Sequence, residues 1–192
     1  MPGATVADLV ARMAEKTLQW EYQLAKAYML SLPAVQRDAL SEAYRGLPSL
    51  ANDLRLYAQR ILEGRTHLEI PPYRTLGLVT TRDIERIKEL IGQDVTGWDY
   101  ALDASTVGHI ARGHGETEAE ATRGQRAVTA QDYARLPEIL AAPDEVTDGG
   151  TSRVGRRVVR ISRVIEGERH TAALELRGKR KTLALVSLWI RP

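Results

Sequence analysis

The apolar residues of this chain keep two different periods, and the change between them limits what the chain can fold into. Up to about residue 63 they recur every three or four positions, as in Val6, Leu9, Val10, Met13, Leu18, Trp20, Leu24, Ala27, Tyr28 and Leu30. That spacing lines one face of a helix. From Asp144 the period becomes two. In the stretch 154–165, Val159 and Ile161 share a face with Arg157 and Arg163, while Val158 and Val164 share the other with Arg156, Arg160 and Ser162, the alternation of a strand. The last run, Thr182 to Ile190, is almost wholly apolar and belongs at the centre of a sheet or under cover on both faces. Helices followed by an antiparallel meander make an α+β fold.

Punctuating residues divide the chain further. Thr5 with Asp8 is close to a capping box for the first helix. Pro33 starts a second helix, which Gly46 and Pro48 end; Ser49 opens a third, closed by Gly64. Short connections of this kind predict a helical hairpin or small bundle over residues 1–66. The aromatics Trp20, Tyr22, Tyr28, Tyr44 and Tyr57 sit at helical spacing and read as core or interface. Residues 67–74, with Pro71-Pro72, read as a stiff linker carrying a surface His67. A second unit then spans 75–192. Its sequence predicts a helix over 84–91 opened by Thr81 and stopped by Gly92, and a loop or short extended segment over 93–103. A helix from Thr106 to Arg112 should end at Gly113 in the left-handed conformation. Glu116 to Arg126 is polar and is expected to be mobile. Thr129 caps a helix from Ala130 to about Ala141, and turns at 166–168 and 177–180 join three strands.

Charge is segregated along the chain. Residues 1–150 hold 16 Lys+Arg against 22 Asp+Glu, whereas residues 151–192 hold 11 against 3, a local net charge of +8. Such a basic end suits a polyanion partner. With no cysteine, disulfides, thiolate metal sites and a cysteine nucleophile are excluded. No apolar run approaches the ~20 residues that span a bilayer, and the first residues lack a signal-peptide pattern. The expectation is a protein with no membrane association that acts in a cytoplasm.

Useful chemistry is densest in Val107-Gly108-His109-Ile110-Ala111-Arg112-Gly113-His114-Gly115. His109 and His114 are five positions apart, about 140° around a helix, whereas metal pairs favour three or four. With no cysteine and no His-Glu-x-x-His, neither a metal site nor any cofactor is expected. The glycines neither follow a strand nor open a helix, so they are not a phosphate loop. RNA cleavage without metal fits better. It needs a base for the 2′-hydroxyl, an acid for the leaving oxygen and cations for the phosphate. Histidine suits the proton roles and arginine the phosphate. A helix C-terminus favours a cationic His114, and Arg112, Arg160 and Arg163 are candidate phosphate ligands.

The order of motifs is itself informative: His-Ile-x-x-Gly-His-Gly, then Thr-x-x-Asp-Tyr-x-x-Leu-Pro-Glu-Ile-Leu-x-x-Pro-Asp-Glu-Val, an Arg-rich strand, and a final strand ending Val-Ser-Leu-Trp. Over about residues 75–190 this resembles the phage-encoded branch of the barnase/EndoU/colicin/RelE-like (BECR) nucleases, which occur at the C-terminus of MuF-type head proteins and of polyvalent phage proteins. The resemblance implies helices followed by a four-stranded antiparallel sheet, and a metal-independent endoribonuclease of toxin or effector type, with tRNA among its candidate substrates. It implies His109, His114, Arg163 (or Arg160) and Ser187 as catalytic residues. Arg112, Arg160, Arg156, Lys179 and Arg180 complete the expected substrate-binding set. Two positions depart from the family pattern: the strand cation is arginine where lysine is usual, and Leu188-Trp189 stand where methionine and tyrosine are more usual. Expected partners are RNA, an immunity protein, or a phage capsid or carrier protein, with the helical region mediating oligomerisation. The alternative reading is a non-catalytic phage structural or protein-interaction module, motivated by helices that a bare nuclease does not need.

Overall fold

In the computed structural model, residues 19–64 and 72–192 are described. The Thr5 cap, most of the first helical run and His67 with linker residues 67–71 lie outside them. The first described helix, α1 (Gln19–Ser31), is followed by α2 (Ala34–Arg45) and α3 (Pro48–Leu62). Pro33 precedes α2 as its N-cap, and Pro48 is the first residue of α3, after Leu47. There the missing proline N–H costs nothing, because first-turn N–H groups have no helical acceptor.

Strand β1 (Tyr73–Leu78) begins inside the stretch expected to be linker. It leads to α4 (Thr81–Ile91), which Gly92 ends at φ 70°. Strand β2 (Asp99–Asp103) runs directly into α5 (Ala104–His114). Two short helices occupy the next stretch: α6 (Thr117–Ala121) and α7 (Ala130–Tyr133), followed by α8 (Leu136–Ala141). The single helix expected over 130–141 is thus broken, with Pro137 in the first turn of its second piece. Thr129 caps α7 as expected, its N–H and hydroxyl both donating to the Asp132 carboxylate.

Strands β3 (Glu145–Thr151), β4 (Arg157–Ile165), β5 (Glu168–Arg177) and β6 (Thr182–Arg191) form the antiparallel meander. The β4–β5 loop is Glu166-Gly167, with φ 52° and 87°, the doubly positive pair that a two-residue turn needs to match strand twist. The fold is α+β, and its sheet is larger than the meander. Strand β2 adds to β6 in parallel and β1 pairs with β2, giving the order β1-β2-β6-β5-β4-β3. This makes β6 central, which explains its apolar sequence.

One face of the sheet carries the core. Leu102, Val159, Ile161, Leu174, Leu183 and Leu185 point that way, all with at most 2% exposure. Helices α2, α3, α5 and α8 lie over them, and Tyr22, Met29, Leu40, Tyr44, Leu50, Leu54 and Tyr57 join the same core. Each such side chain contributes about 1.5–3 kcal/mol by leaving water. The described helices α1–α3 therefore share one core with the sheet. The outer face is polar. By register it carries Tyr73, Thr75, Asp99, Asp103, Thr182, Glu175, Ala173, Arg160, Ser162 and Thr171. Among the described residues no helix is long and apolar enough to cross a membrane.

Candidate active site

Helix α5 places its last residue at the edge of β6. Val107 and Ile110 are fully buried, and the Thr106 hydroxyl donates to the Leu185 carbonyl at 3.0 Å. Strand β2 pairs with β6 only over residues 182–184, so the rest of that β6 edge is open to the segment after α5. Two hydrogen bonds fasten that segment: Val128 N–H to His114 O at 2.7 Å and Arg126 N–H to Ile190 O at 3.0 Å. A helix running two residues beyond Arg112, its expected last residue, makes this possible. Gly113 is helical, and Gly115 is the C-cap in the right-handed region, where a Cβ would sit 2.3 Å from the Ala111 carbonyl oxygen.

His114 stands between a hydroxyl and a carboxylate. Its Nε2 lies 3.3 Å from Ser187 Oγ and its Nδ1 3.0 Å from Glu120 Oε2. Glu120, on α6, is fully buried. A buried carboxylate is costly unless paired and hydrogen-bonded. Here Arg123 donates to Oε1 at 2.6 Å, and the same Nη1 donates to Gly113 O at 2.9 Å. Arg123 thus ties the carboxylate to an otherwise unpaired carbonyl at the end of α5. An ionised Glu120 only accepts, so it assigns the proton to Nδ1 and leaves the Nε2 lone pair facing Ser187 when the imidazole is neutral.

On the outer face the register sets Arg160, Ala173 and Ser187 in one row across β4, β5 and β6. Two strand spacings put Arg160 and Ser187 roughly 10 Å apart at the backbone, with only the methyl of Ala173 between them. Arg160 is exposed and has no ion pair among the described residues; its guanidinium carbon lies 6.0 Å from the Trp189 ring centroid. Trp189 is two positions from Ser187 and shares its face. A hydroxyl, an imidazole with a defined tautomer, a free guanidinium and an aromatic ring are thereby brought to one part of the sheet.

Other expected site residues lie elsewhere. Arg163 is three positions from Arg160 on a regular strand and points to the core face, where it donates to Glu138 O at 2.9 Å. It borders a separate cavity of about 450 Å³ between the α2–α3 junction and α7–α8. Of the two strand arginines expected as alternatives, the register therefore places Arg163 on the face opposite Ser187 and Arg160 on the same face as Ser187. His109 is exposed on α5 and makes no hydrogen bond among the described residues; it does not meet His114 or Ser187. Arg112 is also exposed, its Nη1 3.6 Å from where a Cβ on Gly108 would stand. Arg156 is bound to Glu175 at 2.9 Å. Arg180 lies 3.6 Å from Asp103 and stacks over Tyr73, and Lys179 is exposed in the same turn. These three cations cluster at the β5–β6 turn end of the sheet, away from Ser187.

Glu120 and Arg123 were not legible as site residues. They fall in the polar stretch expected to be mobile, and nothing in residue type sets Glu120 apart from Glu116 or Glu118. A further network braces this stretch. Arg126 bonds both Asp132 oxygens (3.0 and 2.8 Å) and both Glu168 oxygens (2.6 Å each). Burial opposes ionisation of Asp132, but the Arg126 and Thr129 hydrogen bonds win and hold it below the usual carboxylate range. Arg126 holds Glu168 low as well. Among the described residues no group of three or more His, Asp or Glu is arranged to hold a metal ion.

Residues 78–192 match the family described as phage-Barnase-EndoU-ColicinE5/D-RelE like nuclease3. The chain belongs to this family. The match covers β6, α5 and the whole of the His114–Glu120–Ser187 cluster, and it ends with the chain. The unit carrying the cluster is therefore a BECR-like nuclease domain, whose core is completed by α1–α3 from outside the matched residues. No curated protein and no solved structure matches the chain.

Proposed function

We propose that this BECR-like domain is a metal-independent endoribonuclease in which His114 is the proton acceptor. The observation that carries the reading is the His114 imidazole held by buried Glu120 on one nitrogen and turned to Ser187 with the other. In this mechanism His114 Nε2 takes the proton of a 2′-hydroxyl. The freed oxygen attacks the adjacent phosphorus, and the 5′-oxygen of the next nucleotide leaves and is protonated from solvent. Products are a 2′,3′-cyclic phosphate and a 5′-hydroxyl. Glu120 stabilises the imidazolium as it forms, the role of a buried acid behind a catalytic histidine. The Ser187 hydroxyl and the Arg160 guanidinium stabilise the added charge on the phosphate oxygens. Arginine cannot act as a base, so proton transfer rests on His114.

The family's phage context supports an effector role in a bacterial cytoplasm, with an immunity or carrier protein as partner and tRNA as a candidate substrate. The test is direct. Purified protein in EDTA should cut single-stranded RNA and leave cyclic phosphate ends, and His114→Ala should abolish the cutting. Intact RNA under these conditions, with and without added divalent metal, would leave only a non-catalytic phage structural or interaction module.

A further inference from the structure

A second cavity, of about 220 Å³, opens on the same outer face as Ser187. It is lined by Tyr73 and Thr75 of β1, Asp99 and Ala101 of β2 and Thr182 of β6, with Thr75 paired to Ala101 and Asp99 to Thr182 across the strands, and by Lys26 and Arg180. Lys26 and Tyr22 of α1 both donate to the Asp99 carboxylate, Tyr22 at 2.6 Å. Thr182 is 8% exposed, yet its hydroxyl has no hydrogen-bond partner among the described residues. A buried hydroxyl without a partner is uncommon and asks for an explanation.

We propose that this cavity is a nucleobase subsite that takes one unpaired base of the strand lying over Ser187. The inference rests on the ribonuclease reading above and adds that the substrate is single-stranded at this position. Three features favour a base over other ligands. An acidic group in the lining opposes a phosphate, and Lys26 already neutralises Asp99, which opposes a free cation. A donor (Lys26), an acceptor (Asp99) and a hydroxyl that can be either (Thr182) stand side by side, as the edge of a base requires. The Tyr73 ring, with the Arg180 guanidinium stacked 4.9 Å from its centroid, offers the planar surface on which bases stack. Position fits too. Thr182 and Ser187 are five residues apart on β6, roughly 15 Å at about 3.3 Å per residue with one bulge, the reach of roughly two or three nucleotides of an extended strand.

The test is equilibrium binding of the full chain to 2′-fluoro RNA oligomers, which lack the attacking hydroxyl, followed by fluorescence anisotropy. A series carries one abasic residue at each position in turn. One position, two or three nucleotides from the cut, should weaken binding about tenfold. That penalty should vanish in Thr182→Val and in Tyr73→Ala, each checked for an unchanged melting curve. Equal penalties at every position, a penalty that persists in both variants, or no binding to any oligomer would overturn the subsite. Cleavage of ordinary RNA by the wild-type chain separates the two ideas: cutting without the abasic pattern removes the subsite alone, whereas loss of cutting as well removes both.

Discussion

The carboxylate of Glu120 has no exposed surface and meets His114 Nδ1 at 3.0 Å, six residues after it in the chain. Because the acid is held in turn by Arg123, the imidazole orientation does not depend on substrate. Glu120→Gln preserves shape but can donate to Nδ1 and favour the opposite tautomer. Initial-rate assays on RNA should show kcat reduced about 100-fold or more, with KM changed little, as when the acid behind a catalytic histidine becomes an amide. Unchanged kcat would remove Glu120 from the mechanism.

The two strand arginines should separate cleanly. Arg160→Ala removes the unpaired guanidinium beside Ser187 and should lower kcat/KM by about 10- to 100-fold, a loss of about 1.4–2.7 kcal/mol of transition-state stabilisation. Arg163→Ala breaks the contacts to Glu138 on the far face; activity should stay within about twofold while stability falls by about 1 kcal/mol. The reverse ranking would restore Arg163 to the site.

His109 and His114 make the same kind of contrast. His109→Ala should cut RNA at nearly the wild-type rate, since its ring is exposed and unbonded, whereas His114→Ala should be inactive. Equal losses would show that His109 takes part.

Stability should respond to acid in two steps. His170 is 2% exposed, and burial lowers its pKa below 6.5. The unfolded chain then binds a proton more readily than the folded one, so stability is intact above pH 6.5 and declines as pH falls toward the lower folded value. The slope is at most about 1.4 kcal/mol per pH unit. Asp132 and Glu168 are depressed below 3.8 and 4.5, and their contribution is lost only as pH falls below those values. Denaturant melts across pH should show both phases. His170→Leu should remove the first, and Arg126→Ala the second.

Gly115 permits the approach that ends α5. Gly115→Ala sets a methyl against the Ala111 carbonyl oxygen and should cost about 1–3 kcal/mol of stability, with a parallel loss of activity as His114 moves. Thermal melts and rate assays on the same samples would check both.

Period and punctuation carried most of the architecture. The meander, the capped helices, and the buried Tyr22, Tyr44 and Tyr57 follow from spacing that repeats over many residues. Strand β1 was not legible and β2 was left open between a loop and an extended segment, because short strands paired to distant partners leave little local pattern. The same limit hid the site's composition. Arg160 and Arg163 are chemically alike, and only the register of β4 against β5 and β6 decides which one reaches Ser187. Glu120 differs in no local respect from its acidic neighbours.

What the sequence by itself determined is the set of chemical groups and their order: a histidine closing a helix, a basic meander, a hydroxyl on the last strand. Each is a property of nearest neighbours and of period. What only tertiary structure decided is which groups meet. His114, Glu120 and Ser187 converge because β2 stops pairing with β6 at Ala184 and leaves an edge that the segment after α5 fills. The core contacts that fix that edge join residues more than seventy positions apart.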